Sequence, residues 1–278
     1  MKIIIKLILI LLFISCNSSL EKWKSYDESE EISKNLSNEN QKLRYKRIQS
    51  ISTDKNKLIN GLENEIENFI KTKYDKLKPK IVEKSIPEIQ QSVINKDFSY
   101  YDLTLFYISR IYLIEFNKDT YLNSIISINK NILEEAKSKD NLGNSDIYSV
   151  FGIPILLKDN IGFESLPTTA GAHSLQNNYT KDAYVVKKLK EKGALILGKT
   201  NLSEWANYFC SGCPNGYTAL GGQTLNPYGR KKIDTGGSSS GSGAATASNL
   251  TAVSLGSETS GSILSPSSAS SLVGMKPT

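Results

Sequence analysis

The sequence predicts an α/β fold in which a sheet is flanked by helices. Three short apolar runs, in "GIPILLK", "ALILGK" and "TAVSL", have the length of buried strands. The segments "DAYVVKKLKEKG" and "SGSGAATASNL", which precede the second and third runs, are helical in character. Strands that alternate with helices along a chain favour a sheet with helices packed over it.

The first apolar run and the helix after it carry clear boundary signals. The run that ends at Lys158 is too short for a buried helix and is bounded by Gly152 and Pro154, so we expect a strand. In the following helix, Asp182 lies near the start and Gly193 is the C-terminal stop. A strand followed by a helix and a second strand is the expected order here.

The segment "TNLSEWANYF" predicts a short helix after the second strand. Asn201 and Glu204 are three residues apart, which is the spacing of a capping box at a helix start. Further upstream, "SYYDLTLFYISRIYLIEFN" and "NKNILEEAKSKD" predict two more helices. A third helical stripe precedes them, and its apolar residues are Leu58, Leu62, Ile66, Phe69 and Ile70.

Composition and charge argue against a nucleic-acid-binding protein. The chain has 278 residues, of which 39% are hydrophobic and 22% are charged, and this is enough for one large domain or two small ones. The formal net charge is +6, and the basic residues are spread along the chain without a dense lysine and arginine block. A nucleic-acid groove is typically marked by such a block, so we expect no nucleic-acid partner.

The N-terminus resembles a bacterial lipoprotein signal. Lys2 and Lys6 precede an apolar run that is too short to span a bilayer, and Ser15 and Cys16 end this run like a lipobox. We expect residues 1–15 to be a signal peptide and Cys16 to carry lipid. Several acyl chains would anchor the protein firmly outside the cytoplasm, in the periplasm or at the cell surface. A plain signal peptide with an incidental cysteine is the alternative interpretation.

Two further cysteines, Cys210 and Cys213, form a C-x-x-C in "NYFCSGCPNG". One such pair, with a single distant histidine in the chain, is a poor zinc site, and we expect no bound metal. Outside the cytoplasm the two thiols could close as a disulfide. Two incidental loop cysteines are the simpler interpretation, and the sequence leaves their state open.

A stretch rich in small and hydroxyl residues, from Thr235 to Ile263, is of the kind that exposes a nucleophilic serine. A serine hydroxyl needs a neighbouring base, and the one histidine of the chain is His173. A lysine is an alternative base if burial lowers its pKa from about 10.4 and leaves the amine neutral. Lys158 fits because it closes a buried strand, whereas we expect His173 to be a surface or packed residue without a catalytic part.

Seven ordered blocks of the sequence resemble the amidase signature family. They are "GIPILLKDNI", "TTAG", "GALILGKTNLSEWA", "GGQTLNP", "GGSSSGSGAA", "GSETSGSI" and "LVGMKPT", and their order and spacing match as well. The form "SSSGSG", with Glu258 rather than Asp in "GSET", is most similar to the bacterial peptide amidase branch. The resemblance implies an α/β fold with a mixed sheet flanked by helices.

The resemblance also implies a catalytic Ser–cis-Ser–Lys triad. By position, Ser262 in "SETSGSI" is the nucleophile, Ser238 in "TGGSSSG" is the bridging serine after a cis peptide bond, and Lys158 is the base. An amide would be cleaved through an acyl-enzyme, with neither a metal nor a cofactor. The oxyanion would be held by backbone N–H groups, those of Thr259, Ser260 and Gly261.

The resemblance sets the expected domain organisation. Residues 85–278 hold the N-terminal portion of an amidase signature domain, and residues 16–84 form a polar or helical tether. We expect residues 17–57 to be mostly disordered or loosely helical, since they are polar and low in aromatics. Family members continue past "GMKPT" with strands and helices that complete the sheet, so the last strands here would present unpaired edges. A truncated product, a split protein completed by a second polypeptide and a partial record stay open.

The predicted function is an amidase, that is, hydrolysis of a small-molecule or peptide amide by a membrane-anchored lipoprotein. One alternative is a glutaminase like the ammonia-releasing component of the glutamyl-tRNA(Gln) amidotransferase, which shares the triad. A signal sequence argues against that cytosolic role. The other alternative is a catalytically silent surface lipoprotein that keeps the motifs as a remnant, and the missing C-terminal half favours it.

Overall fold

A computed structural model describes residues 19–210 and 212–277 of the chain. The expected signal peptide and Cys16 lie outside the described residues. The strands are, in chain order, β1 (Ile125–Ile128), β2 (Pro154–Lys158), β3 (Leu195–Thr200), β4 (Tyr217–Thr218), β5 (Gly222–Gln223) and β6 (Val253–Leu255). The helices are α1 (Ser29–Leu36), α2 (Glu63–Phe69), α3 (Asp75–Ile81), α4 (Ile86–Ile94), α5 (Tyr100–Glu115), α6 (Ile132–Leu142), α7 (Tyr184–Glu191), α8 (Ser240–Ala247) and α9 (Leu264–Ala269).

The central sheet is mixed, as predicted, and its strand order is β1-β3-β2-β6. Strand β2 is parallel to both of its neighbours, whereas β1 runs antiparallel to β3. The residues of β2 and β3 are all buried, which is typical of parallel strands covered on both faces. The carboxyl ends of β2, β3 and β6 therefore meet at one edge of the sheet, and this edge is where ligands bind in such folds.

The predicted helices and strands around the sheet are confirmed, except that "TNLSEWANYF" forms only a 3₁₀ turn at Glu204–Asn207. Helix α5 is buried around most of its circumference and packs against α2 and α6, with Ser99 accepting a hydrogen bond from the Asp102 N–H at its start. The small residues of α8 let it lie close to the sheet, and a Cβ at Gly241 would come within 2.3 Å of the Asn201 carbonyl oxygen. Strand β1, which the sequence analysis did not identify, adds the antiparallel edge.

The structure corrects the expectation of a tether. Residues 19–84 fold onto the domain, where Leu43, Tyr45 and Ile48 are buried in a small cluster with Tyr121. The helical stripe that begins at Leu58 is a 3₁₀ turn followed by α2, a π-helical turn and α3, and its apolar residues join the main core. Apolar residues spaced thinly among polar ones are enough to hold this segment in place because each is nearly fully buried.

The expected capping box is also corrected. Residues 204–207 form a short 3₁₀ turn, and the side chains of Asn201 and Glu204 serve other backbone groups. The Asn201 amide donates to the carbonyls of Asn123 and Gly222, while the Glu204 carboxylate accepts from the Ala219 N–H. Across residues 19–210 and 212–277, no helix combines the length and the apolar character needed to cross a membrane.

Candidate active site

Lys158 is the last residue of β2 and is fully buried. Its Nζ lies 2.8 Å from Ser238 Oγ, 3.0 Å from Ser257 Oγ and 3.1 Å from the Ser257 carbonyl oxygen. Ser257 follows β6, which is parallel to β2, so both residues reach the same edge of the sheet. The topology thus places a buried amine beside the serine-rich loops.

The structure brings the three residues of the predicted triad into one hydrogen-bonded chain. Ser238 Oγ, which contacts Lys158, lies 3.0 Å from Ser262 Oγ. The peptide bond between Gly237 and Ser238 is cis, and the Ser238 carbonyl accepts a hydrogen bond of 2.9 Å from the Ser203 N–H. Ser238 is buried, whereas Ser262 is half-buried and open to a ligand.

Burial makes Lys158 a suitable base. Desolvation of the ammonium lowers the pKa of Lys158 to about 7, and Glu258 opposes this shift only in part. The three atoms that its Nζ contacts are all neutral oxygens. A large fraction of the amine is therefore neutral near pH 7, as a proton acceptor requires.

Ser257 is a site residue that the sequence analysis missed. A neutral amine has two N–H groups and one lone pair, and Ser257 offers two acceptors, its carbonyl and its hydroxyl, to the N–H groups. The lone pair is then left to face Ser238 Oγ. The Ser257 hydroxyl is fixed in turn by the Asn160 side chain, whose Nδ2 lies 2.9 Å away. The signal was present in "GSETSGSI", one residue before Glu258.

A second buried lysine, Lys199, lies on the adjacent strand in a different environment. In the β2–β3 register Lys199 is paired with Leu157, so its side chain projects to the opposite face of the sheet from that of Lys158. Its Nζ lies 3.7 Å from Asp159 Oδ1 and 2.5 Å from the Ile161 carbonyl oxygen. Burial lowers the pKa of Lys199, but the charge of Asp159 opposes that shift and favours the ammonium. Lys199 therefore suits an ion pair and not a base.

Glu258 shapes the loop of residues 258–262, which carries Ser262. Its carboxylate accepts hydrogen bonds of 2.7 Å from the Ile263 N–H and 2.9 Å from the Leu264 N–H, and these bonds lower the pKa of Glu258. The loop is thereby folded back on itself just before α9, with Ser262 at its end. The sequence analysis did not assign this role to Glu258.

The three residues expected at the oxyanion hole lie together in this loop. Thr259 and Ser260 are exposed, and their N–H groups donate to no acceptor in the described part of the chain. The Gly261 N–H is directed to the Glu258 carboxylate instead. Two free backbone donors therefore lie next to Ser262, and Gly261, with φ of +79°, makes the turn between them and Ser262.

Ser239 and Ser242, just before and within α8, support the loops that carry Ser238 and Ser262. The Ser239 N–H donates to the Ser262 carbonyl at 3.1 Å, and Ser239 Oγ donates to the Ser257 carbonyl at 3.2 Å. Ser242 Oγ lies 2.8 Å from Thr200 Oγ1 and joins α8 to β3. These bonds hold the turn that carries Ser238, the loop that carries Ser262 and the end of the sheet as one unit.

An open groove of about 740 Å³ adjoins the site. It is lined by β6 and, close to the triad, by Asn160, Ser239, Ser257 and Ile263. Its walls are mainly apolar, with Val253, Leu255, Ile161, Leu272 and Val273 among them. A ligand with an apolar portion would fit beside Ser262.

The remaining candidates do not contact the hydrogen-bonded chain of Lys158, Ser238 and Ser262. His173 is exposed at the start of a 3₁₀ turn and is not among the hydrogen-bonded partners of Lys158, Ser238 and Ser262. Cys210 and Cys213, whose state the sequence left open, are joined by a disulfide. Within residues 19–210 and 212–277, no group of three or more His, Cys, Asp or Glu side chains is placed to hold a metal ion.

The sequence of the chain is similar to those of known amidases. The family model described as amidase matches residues 102–278. A protein described as a probable amidase from Arabidopsis thaliana is 41% identical over 200 residues, which cover 69% of this chain and 39% of that protein.

Two solved structures share the fold of the described domain. An amidase family protein from Bacillus anthracis superposes with a TM-score of 0.74 at 37% identity, covering 80% of this chain and 45% of that chain. The native peptide amidase from Stenotrophomonas maltophilia superposes with a TM-score of 0.60 at 40% identity, covering 66% of this chain and 38% of that chain. This chain therefore spans about two fifths of the length of its relatives, and it belongs to the amidase family.

Proposed function

We propose that this chain is an amide hydrolase in which Ser262 is the nucleophile, Ser238 the bridge and Lys158 the base. The observation that carries the proposal is the continuous chain of hydrogen bonds from the buried Lys158 amine to the half-buried Ser262 hydroxyl. The membership of the amidase family supports the reaction class. The identities and positions of the three residues support the roles.

Acylation begins with proton transfer along this chain. Neutral Lys158 accepts the proton of Ser238 Oγ, and Ser238 Oγ accepts the proton of Ser262 Oγ as this oxygen attacks the amide carbonyl carbon. The new bond joins Ser262 Oγ to that carbon, and the amide C–N bond breaks. The leaving amine takes the proton back from Lys158 through Ser238.

Deacylation repeats the steps with water. A water molecule loses its proton through the same relay and attacks the acyl carbon, and Ser262 leaves with a proton returned by Lys158. In both halves the oxyanion lies within reach of the free N–H groups of Thr259 and Ser260. One such donor contributes about 3 kcal/mol to the stability of a transition state.

The proposed substrate is a small-molecule or peptide amide with an apolar portion. The groove lined by β6 supports this, since its mainly apolar walls come close to the triad at Ser257 and Ile263. The likeness to a peptide amidase makes short peptides with a C-terminal carboxamide the first compounds to assay.

We further propose that the open edge of β6 pairs with an additional part of an amidase fold, supplied by a second polypeptide. In the described part of the chain, β6 pairs with β2 on one side only, and apolar Val273 is fully exposed nearby. Copurification of a downstream-encoded chain with this one, lost when Val253 in β6 is replaced by proline, would support this partner. An unchanged monomer after coexpression would contradict it.

We also propose that the protein is held at a membrane by lipid on Cys16, outside the cytoplasm. The support is the sequence of the N-terminus alone. Mass spectrometry of the mature N-terminus should find a diacylated or triacylated Cys16, and a Cys16→Ser variant should move to the soluble fraction. An unmodified N-terminus before or beyond Cys16 would contradict the proposal.

The catalytic proposal is tested by labelling the mature chain with a fluorophosphonate, which reacts with activated serines. We expect labelling of the wild type and none of Ser262→Ala. Ser268→Ala, which removes an exposed serine in the helix that follows, is the matched control and should label normally. Labelling that persists in Ser262→Ala, or is absent from the wild type, would refute the assignment.

A further inference from the structure

Asn215, at the end of the segment 207–215, lies against the turn that carries Ser238. Asn215 Nδ2 donates to both carboxylate oxygens of Asp234, at 2.9 and 3.2 Å, and Asp234 Oδ1 accepts a hydrogen bond of 3.2 Å from the Gly236 N–H. Asn215 is thereby linked through Asp234 to the glycines directly before the cis peptide bond. Neither Asn215 nor Asp234 takes part in the chemistry proposed above.

Asn215 also touches the turn directly. A Cβ at Gly237 would lie 2.7 Å from Asn215 Oδ1 and 2.7 Å from Ser203 Oγ, so the Gly237 backbone is packed against these two side chains. The Ser203 N–H donates to the Ser238 carbonyl, and the hydroxyl of Ser203 accepts from the Gly216 N–H. The position of Ser238 therefore depends on the positions of Asn215 and Ser203.

The backbone of residues 205–207, which leads into this segment, needs to be held by its surroundings. Trp205, Ala206 and Asn207 follow one another with φ of 50°, 56° and 67°, a region that residues other than glycine rarely adopt. Such backbone persists only where other contacts fix it. One of these contacts is the hydrogen bond of 3.0 Å from Asn207 Nδ2 to Asn215 Oδ1.

The disulfide is placed to provide the second restraint. Cys210 and Cys213, with their Cα atoms 5.7 Å apart, close the chain between Asn207 and Asn215. In the described part of this stretch, Tyr208 and Phe209 are exposed, and Lys42 Nζ donates to the Cys213 carbonyl at 2.7 Å. Both cysteines are partly exposed, so a small reductant can reach them.

We propose that Asn215 is a positioning residue for the bridging Ser238, and that the Cys210–Cys213 disulfide holds Asn215 in place. The inference rests on the proposed function, because it concerns the rate at which Ser262 is activated. Reduction by a dithiol breaks the S–S bond and gives two protein thiols, while the dithiol loses two electrons and two protons and closes to its own disulfide. The freed segment then lets the Ser238 turn move away from Lys158 and Ser262.

The first test is the rate of fluorophosphonate labelling at saturating reagent, with and without dithiothreitol. We expect reduction to slow labelling about tenfold without changing the half-saturating reagent concentration, because a small misplacement of catalytic groups lowers the rate and not the binding. The Cys210→Ser/Cys213→Ser variant should label at the slow rate and ignore dithiothreitol. An equal loss on adding dithiothreitol to that variant, or no loss in the wild type, would overturn the role of the disulfide.

The second test separates positioning from general stability by exchanging two side chains. Asn215→Asp places a carboxylate opposite Asp234 and should slow labelling about as much as reduction does, whereas Asn215→Asp/Asp234→Asn restores the hydrogen bond and should restore the rate. Asn144→Asp, the same change at a partly buried asparagine in another loop, should label like the wild type. No loss in Asn215→Asp, or no recovery in the double variant, would refute the role of Asn215.

The third test does not depend on catalysis. Hydrogen–deuterium exchange of peptides covering residues 234–240 should increase on reduction and in Asn215→Asp, and it should return to the wild-type level in the double exchange variant, while β3 stays unchanged. If the wild type fails to label but this pattern is found, the proposed function fails and the coupling stands. If labelling occurs but neither rate nor exchange responds, the coupling fails and the proposed function stands.

Discussion

The activation of Ser262 should follow the titration of Lys158. Burial lowers the pKa of Lys158 from 10.5 to about 7. With that pKa, the neutral fraction of the amine is about a tenth at pH 6, half at pH 7 and nine tenths at pH 8. A solvated lysine would be neutral in only about one molecule in three thousand at pH 7. The structure therefore raises the supply of the active base about a thousandfold at this pH.

The assay is the second-order rate constant of fluorophosphonate labelling between pH 5.5 and pH 10. Loss of fluoride needs no protonated leaving group, so the rate reports only how readily the Ser262 oxygen is formed. We expect a tenfold rise per pH unit at the acid end, a midpoint near pH 7 and a plateau above about pH 8. A rate that is flat throughout, or that continues to climb to pH 10, would refute Lys158 as a base with a lowered pKa.

Three further predictions concern the residues around the triad. Between pH 7 and pH 10.5 an unfolded lysine binds a proton that folded Lys158 does not. The free energy of unfolding of the wild type, measured by urea denaturation, should therefore rise over this range by about 4 kcal/mol relative to that of Lys158→Met. Parallel plots of unfolding free energy against pH for the two proteins would contradict this. Ser257→Ala should slow labelling about tenfold, because one acceptor for the Lys158 amine is lost. Ser268→Ala is the control. An unchanged labelling rate in Ser257→Ala would show that Ser257 is not part of the site. Lys199→Met should lower the free energy of unfolding by about 3 kcal/mol, because Asp159 is left without its cation. The double variant Lys199→Met/Asp159→Asn should recover most of this loss. A Lys199→Met variant as stable as the wild type would show that the ion pair is not needed for stability.

Much of the candidate site could be predicted from the sequence because its residues lie in short motifs that resemble those of the amidase signature family. "GGSSSGSG" and "GSETSGSI" place Ser238 and Ser262, and the buried run before Lys158 places the amine. The strands and helices were predictable for a related reason, since β2, β3 and α8 have uniform local patterns. What the sequence indicated least well was residues 19–84, where the buried side chains of Leu43, Tyr45 and Ile48 are isolated among polar neighbours and show no periodicity.

The supporting contacts could not be predicted because they depend on which strands are neighbours. Ser257 reaches Lys158 only because β6 lies beside β2, although the two residues are 99 positions apart in the chain. In the same way, Asn215 packs against Gly237 only because the folded chain brings two separate loops together. Local sequence patterns carry no information on such pairings, and these contacts are the ones that position the side chains for chemistry.

The sequence alone does not decide which of two buried lysines is the better candidate base. Both Lys158 and Lys199 end buried apolar runs, so the criterion of a lysine at the end of a buried strand fits each of them. The structure separates them by the face of the sheet on which they lie. Lys199 projects toward the Asp159 carboxylate, which favours the ammonium, whereas Lys158 projects toward neutral serine oxygens, which leave the desolvation of its charge uncompensated. A one-residue difference in strand register thus decides which lysine can accept a proton near neutral pH, because adjacent positions on a strand face opposite sides of the sheet.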